Sequence, residues 1–227
     1  MSLFNSLNNI LPFLGAVLGM GIGYKIRDKS SNGLKLILSF SGAFLLGVTI
    51  FHLMPEVFSK VNNKPGLWIV SGIILQILLE YLSQGTEHGH SHIKSNEYLP
   101  WVLFLSLCLH AFIEGLPLGH ESSLVWGIFI HKIPIGMVLF YMIWDTKSSK
   151  ILKITALFIF AIMSPFGSIT LEYNDALQNY QTQITAIVIG MLLHIATTIL
   201  FESNQGHAFN IRKLFSILLA FLISYFI

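Results

Sequence analysis

The stretch LCLHAFIEGLPLGHESSLVWGIFIHKIPIGMVLF, residues 107–140, consists of two apolar segments joined by a short polar turn. Ionisable side chains lie inside these segments at His110, Glu114, His131 and Lys132. Charged groups are costly at membrane depth, so their presence there favours a functional site. The four-residue step from His110 to Glu114 is about one helical turn, which places imidazole and carboxylate on one face of a helix.

The two histidines are expected to lie at the same depth. If Gly119 is the outer end of the first segment and Ser123 the start of the second, a rise of about 1.5 Å per residue puts His110 about 13 Å and His131 about 12 Å below those ends. Both values fall near the middle of a hydrocarbon core that is about 30 Å thick. Two imidazoles and a carboxylate at this depth suit an intermediate cation such as Zn²⁺.

The composition is that of a polytopic membrane protein. Of the 227 residues, 54% are hydrophobic and 11% are charged, and the mean hydropathy is +0.71, which excludes an ordinary soluble domain. The formal net charge of +2 comes without a basic run, so we expect no nucleic-acid partner. The single cysteine, Cys108, excludes an intramolecular disulfide.

The apolar segments predict an all-α membrane protein with eight transmembrane helices. They lie at residues 8–26, 36–58, 66–84, 98–119, 123–143, 151–170, 184–202 and 212–227.

Basic residues indicate the orientation of these helices. With the N-terminus outside, Lys132 lies within a segment, Lys60 and Lys64 lie in outer loops, and the other ten of the 13 lysines and arginines lie at inner loops and helix ends. The positive-inside rule therefore favours both termini outside. We expect a single transmembrane domain over residues 1–227, with a cytoplasmic histidine-containing loop at residues 85–97.

These features resemble the ZIP (Zrt/Irt-like) family of divalent metal transporters. The fourth helix of that family carries a His-x-x-x-Glu-Gly pattern, and this chain has HAFIEG at residues 110–115. The fifth commonly carries His-Glu-x-Pro-His, and this chain has HKIPI at residues 131–135. Residues 40–58 look like the second helix of the family. Lys132 stands where the family usually has an acid, and Ile135 where it usually has a ligand.

The resemblance implies a ZIP-like bundle in which His110, Glu114 and His131 bind the metal. It also implies that the fourth and fifth helices belong to a mobile element, which slides against a scaffold that includes the second and seventh. Family members hold a second metal with acids on the fifth helix and at the turn of the sixth, and those positions are Lys132 and Ser164 here. We predict that Lys132 pairs with Glu114 or another acid of the site and leaves a mononuclear site. The alternative is that Lys132 faces away from His131, because adjacent helical residues diverge by about 100°.

Other polar residues are candidates for a pathway on either side of the site. His52 and Glu56 are candidates for an outer entrance, and His194, Glu202 and His207 for an inner exit. The alternative for Glu56 is an ordinary solvated residue at a helix end. The alternative for the exit residues is a lone buried histidine and a solvated loop.

The predicted cytoplasmic loop contains His88, His90 and His92 in the sequence EHGHSH. Histidine-rich tracts of this kind chelate metals weakly without a fixed fold. ZIP proteins often carry a variable histidine-rich loop at this place, so we expect these residues to contact the metal during delivery.

We expect a transporter, not an enzyme, that moves a divalent cation toward the cytoplasm, with Zn²⁺ as the leading candidate. The same ligands accept Fe²⁺, Mn²⁺, Co²⁺ and Cd²⁺. The resemblance implies an integral protein of a plasma or inner membrane whose partners are the metal ion and lipid, and a homodimer is left open. Two other functions stay open: a membrane sensor that binds metal without transport, and an intramembrane zinc-dependent hydrolase, which the lack of a His-Glu-x-x-His run disfavours.

Overall fold

The computed structural model describes residues 3–26, 32–60, 64–83, 98–202 and 211–227, and within these ranges it contains helices and no strands. In chain order the helices are α1 (Leu3–Ile26), α2 (Asn32–Val48, continued by a π-helical turn at Thr49–Leu53 and by Met54–Lys60), α3 (Pro65–Ser83), α4 (Trp101–Gly115), α5 (Ser122–Trp144), α6 (Lys150–Glu172), α7 (Gln181–Glu202) and α8 (Ile211–Tyr225). A 3₁₀ turn, Leu116–Gly119, follows α4, and a short helix, Asp175–Gln178, connects α6 to α7.

Seven helices in the described part of the chain are long and apolar enough to cross a membrane. They are α1 to α7, and the prediction of an all-α polytopic membrane protein is confirmed. Helix α8 has 15 residues, fewer than the roughly 20 that a straight span needs. The eighth span and the outside position of both termini therefore stay predictions.

Prolines coincide with a change of helix type at two places inside the apolar segments 36–58 and 98–119. Pro55 follows the π-helical turn Thr49–Leu53, in which the N–H of Met54 bonds to the carbonyl of Thr49. Because proline lacks an N–H and clashes with the carbonyl four residues earlier, a widened turn accommodates it. Similarly, α4 ends at Gly115, and Pro117 lies in the 3₁₀ turn that follows.

The helices pack mainly as two groups. In the first group, α1 packs on α5 and α6, and α4 packs on α6; in the second, α2 packs on α7 and α8, and α3 packs on α7. The two groups meet where α2 packs on α5 and where α3 packs on α4. Helices α4 and α5, which carry the predicted metal ligands, therefore face helices of the other group.

Glycines permit the close contact between α4 and α6. A Cβ atom at Gly115 would collide with the carbonyl oxygen of Ser164, and a Cβ atom at Gly167 would collide with that of Phe112. Small residues of this kind let membrane helices approach backbone to backbone. The contact brings Ser164 of α6 against Glu114 of α4.

Candidate metal centre

Three potential metal ligands meet inside the helix bundle. His110 and Glu114 lie on α4 and His131 lies on α5, and one ligand atom from each lies within 4.8 Å of the others. Their exposed fractions are 3%, 0% and 1%. Among the residues that the structure describes, this is the only such group of at least three His, Cys, Asp or Glu side chains. The structure thus brings the three predicted ligands together, away from solvent.

The two carboxylate oxygens of Glu114 face different groups. Oε1 pairs with the ammonium group of Lys132, and the hydroxyl of Ser164 donates to the same oxygen at 3.3 Å. Oε2 instead lies 3.2 Å from Nε2 of His110. Oε2 is therefore the oxygen that Glu114 can offer to a metal ion held by the histidines.

Lys132 points into the site and not away from it. Its side chain is buried, and its Nζ atom lies 4.6 Å from the centroid of the Phe160 ring on α6. A carboxylate of Glu114 on one side and an aromatic face on the other are favourable surroundings for a desolvated ammonium group. Of the two orientations that the sequence left open, the structure has the one in which Lys132 pairs with Glu114.

Polar residues on the second group of helices contact both histidines. Nδ1 of His110 lies 3.0 Å from Oε1 of Gln76 on α3, and Nδ1 of His131 lies 3.5 Å from the hydroxyl of Ser41 on α2. An amide oxygen can only accept, so His110 donates from Nδ1, and in the neutral ring Nε2 is then left as an acceptor. This is the tautomer that binds a metal ion through Nε2.

Sequence analysis did not identify Gln76 or Glu80, although both are polar residues within an apolar segment. They lie four residues apart and so share one face of α3. Glu80 pairs with Nε2 of His194 on α7. Polar residues four positions apart within an apolar span are unusual, and this spacing could have identified Gln76 and Glu80 from the sequence.

The predicted entrance residues contact groups other than the buried cluster. Nε2 of His52 lies 2.8 Å from the carbonyl oxygen of Ser224 on α8, and Glu56 pairs with Lys60 one turn further along. The side chain of Glu56 also faces that of Glu121, which directly precedes α5. Burial, together with the neighbouring Glu56 carboxyl, raises the pKa of the Glu121 carboxyl to about 8. The structure therefore joins Glu56 to the turn before α5 and does not place it among the metal ligands.

Most of the remaining exit and loop residues cannot be placed. Glu202 is the last residue of α7, and its side chain lies outside the described part. His207 and the loop histidines 88, 90 and 92 lie outside the described residues altogether.

Comparison with known proteins finds zinc transporters among the similar sequences. The chain is 34% identical over 105 residues to protein zntD of Dictyostelium discoideum, a match that covers 38% of this chain and 15% of zntD. It is 30% identical over 114 residues to the zinc transporter ZIP13 homolog of Drosophila melanogaster, covering 46% of this chain and 31% of that protein. It is also 30% identical over 103 residues to zinc transporter ZIP13 of Bos taurus, covering 38% and 24%. The chain thus matches less than a third of the length of each relative.

A family model extends the match over most of the chain. The model described as ZIP Zinc transporter matches residues 81–227. This range runs from the end of α3 to the C-terminal residue and includes α4 and α5, where the three candidate ligands lie. The resemblance found in the sequence motifs is thereby confirmed, and the chain belongs to the ZIP zinc transporter family.

Proposed function

We propose that this protein transports a divalent metal ion, with zinc as its main substrate, across the membrane toward the cytoplasm. The observation that carries this proposal is the buried cluster of His110, Glu114 and His131. Ionisable groups at membrane depth are costly and typically mark a pathway for an ion. Two neutral nitrogens and one charged oxygen form a ligand set that zinc prefers. The names of the two zinc transporters among the relatives support the same substrate.

The number of protein ligands suits transport. A zinc ion with three protein ligands keeps a fourth position for water. Incomplete coordination allows the ion to enter the site and to leave it again, as a conducting site requires. Fe²⁺, Mn²⁺, Co²⁺ and Cd²⁺ accept the same ligands and are the alternative substrates. A sensor would have the same cluster but no flux.

We expect the site to hold one ion. By the resemblance to the family, Lys132 and Ser164 occupy positions that would otherwise contribute to a second metal site. A protonated lysine cannot bind a metal through its nitrogen, and the ammonium group of Lys132 already pairs with Glu114. A positive charge therefore stands where a second cation would need negative ligands.

The proposed outer entrance includes His52 and Glu56. The location of Glu56 supports this assignment, because Glu56 contacts Glu121 in the turn between α4 and α5. With the pKa of Glu121 raised to about 8, the two carboxyls share about one negative charge at neutral pH, and this charge beside the first residues of α5 can attract cations toward the cluster.

The proposed inner exit begins on α3. Gln76 contacts the metal ligand His110, and Glu80 follows one turn later and pairs with His194 of α7. Glu202 and His207 lie further along the chain from His194, and the histidine-rich loop follows α3. The asymmetric distribution of basic residues places this end of the pathway on the cytoplasmic side, and transport in that direction follows from the family resemblance.

Zinc uptake into liposomes that contain the purified protein tests the proposal. We expect saturable uptake, detected by a zinc-sensitive dye inside the liposomes. Replacing His110 by alanine removes one nitrogen ligand and should lower the uptake rate by more than about 100-fold. The matched control is His120→Ala, since His120 is exposed in the turn after α4 and should leave uptake unchanged.

The same assay also ranks other metals and separates a transporter from a sensor. Repeating the assay with Fe²⁺, Mn²⁺, Co²⁺ and Cd²⁺ ranks the substrates. If no metal enters, while zinc still binds in a manner that depends on His110, the protein is a sensor and not a transporter.

A further inference from the structure

We propose that Lys132 sets the metal affinity of this site, because its ammonium group competes with the metal ion for the charge of Glu114. The ion then binds weakly enough to be released. This inference rests on the proposed binding of metal by His110, Glu114 and His131, and it assigns a role to a residue that binds no metal itself.

The surroundings of Lys132 hold its charge inside the site. Lys132 follows the ligand His131 on α5, and its ammonium group pairs with Oε1 of Glu114 on α4. The ring of Phe160 lies on another side of the ammonium group, 4.6 Å away, and the whole side chain is 2% exposed. Unlike the ammonium group of a surface lysine, that of Lys132 is therefore held next to Glu114 and away from solvent.

In the empty site, this ion pair neutralises Glu114. A buried carboxylate without a cation would be strongly unfavourable, and an arriving metal ion would relieve the whole of that cost. Because Lys132 already relieves it, the metal ion gains less free energy on binding to Oε2 of Glu114. The lysine thus lowers the affinity by stabilising the empty site.

In the occupied site, two positive groups share one carboxylate. The metal ion and the ammonium group of Lys132 repel each other, and the repulsion is stronger in a buried site than in water. This repulsion raises the free energy of the occupied site. Both effects act in the same direction and weaken binding, which a site that must unload its ion requires.

A purely structural role of Lys132 predicts a different result. If Lys132 only stabilises the fold, its removal should lower stability and leave zinc affinity unchanged or weaker. Competition for Glu114 predicts tighter binding. The sign of the affinity change therefore separates the two roles.

Zinc titration of purified variants measures this sign. Lys132→Met removes the charge at similar side-chain length, Lys132→Arg restores a positive charge, and both are made in a background in which the loop histidines 88, 90 and 92 are replaced by alanine. The matched control is Lys153→Met, since Lys153 also contacts an aromatic ring, that of Trp144 at 5.9 Å, and is not part of the buried cluster.

We expect the zinc Kd of Lys132→Met to fall by about tenfold or more, because the empty site of this variant is destabilised and the repulsion is gone. Zinc should raise the Tm of this variant more than that of the parent protein. Lys132→Arg should return the Kd toward the parent value, and Lys153→Met should not change it. In liposomes, Lys132→Met should lower both the KM and the maximal rate, since release becomes slower.

Unchanged or weaker zinc binding by Lys132→Met would overturn this inference. If that variant does not fold, Lys132→Gln, which keeps a hydrogen-bond donor without the charge, carries the same expectation of tighter binding. A parent protein that binds zinc without transporting it would remove the proposed transport but leave the affinity test in force. A parent protein whose zinc binding does not depend on His110 would remove both.

Discussion

At the scale of single residues, the two oxygens of Glu114 have separate roles. Lys132 and Ser164 contact Oε1, and Oε2 faces His110. A carboxylate that is engaged on one side binds a metal through the other oxygen only. We therefore expect Glu114 to bind a metal ion through one oxygen, which suits the tetrahedral coordination of zinc better than the larger coordination number of calcium.

The contact between Gln76 and His110 is open to direct test at this scale. Leucine at position 76 has no acceptor for Nδ1–H of His110, so the ring loses its fixed tautomer and orientation. We expect Gln76→Leu to raise the zinc Kd by about 10- to 100-fold in calorimetric titration. The control is Ser71→Ala, an exposed residue on the same helix. Equal affinities of Gln76→Leu and the parent protein would show that Gln76 does not position the ligand.

The clustering of the three candidate ligands could be predicted from the sequence, but the contacts that support them could not. The spacing of His110 and Glu114, and the depth of His131, follow from helix geometry within each segment. Whether Lys132 points inward depends on α4 and α6, which pack beside α5 from distant parts of the sequence. Gln76 was missed for the same reason, since only the packing of α3 on α4 brings it to His110.

At the scale of helices, the contact between α4 and α6 fixes the position of Glu114. Alanine at position 167 would place its Cβ atom against the carbonyl oxygen of Phe112 and force the helices apart. We expect Gly167→Ala to lower the unfolding free energy by about 1–3 kcal/mol and to weaken zinc binding, because Ser164 moves away from Glu114.

Thermal unfolding and zinc titration of this variant in detergent measure both effects. The control is Gly21→Ala on α1, where an added Cβ atom meets nothing within 4 Å and alanine favours the helix. A Gly167→Ala protein as stable as the control variant would contradict the close backbone contact.

The positions of the prolines predict where a helix is interrupted but not the type of turn that forms there. The sequence places Pro55 and Pro117 near helix ends, but proline can be accommodated by a kink, a π-helical turn or a 3₁₀ turn. Packing against neighbouring helices selects among these solutions. The π-helical turn at Thr49–Leu53 and the 3₁₀ turn at Leu116–Gly119 were therefore not predictable from the local sequence.

At the scale of the whole molecule, the cluster lies where the two groups of helices meet. The candidate ligands belong to α4 and α5, while Gln76 and Ser41, which contact the histidines, belong to α3 and α2. Any sliding of one group against the other, as the family resemblance implies, must break these two contacts but can keep the three ligands together. The affinity of the site would then change with the position of the groups.

The composition correctly predicted a membrane protein with several spanning helices. Long apolar segments and few charges are sufficient for a polytopic helical protein, because every backbone polar group must bond within its own helix in lipid. The last segment was predicted as a span, whereas α8 has only 15 residues. Its pairing with α2 was beyond prediction, since it joins opposite ends of the chain.

The most direct test of the central claim is a count of zinc ions bound per chain. Equilibrium dialysis followed by elemental analysis should use protein in which the loop histidines 88, 90 and 92 are replaced by alanine. We predict one ion per chain, none after His110→Ala, and two after Lys132→Glu, which exchanges the ammonium group for a second carboxylate. An ion that remains bound after His110→Ala, or two ions in the parent protein, would contradict a single-ion site built from His110, Glu114 and His131.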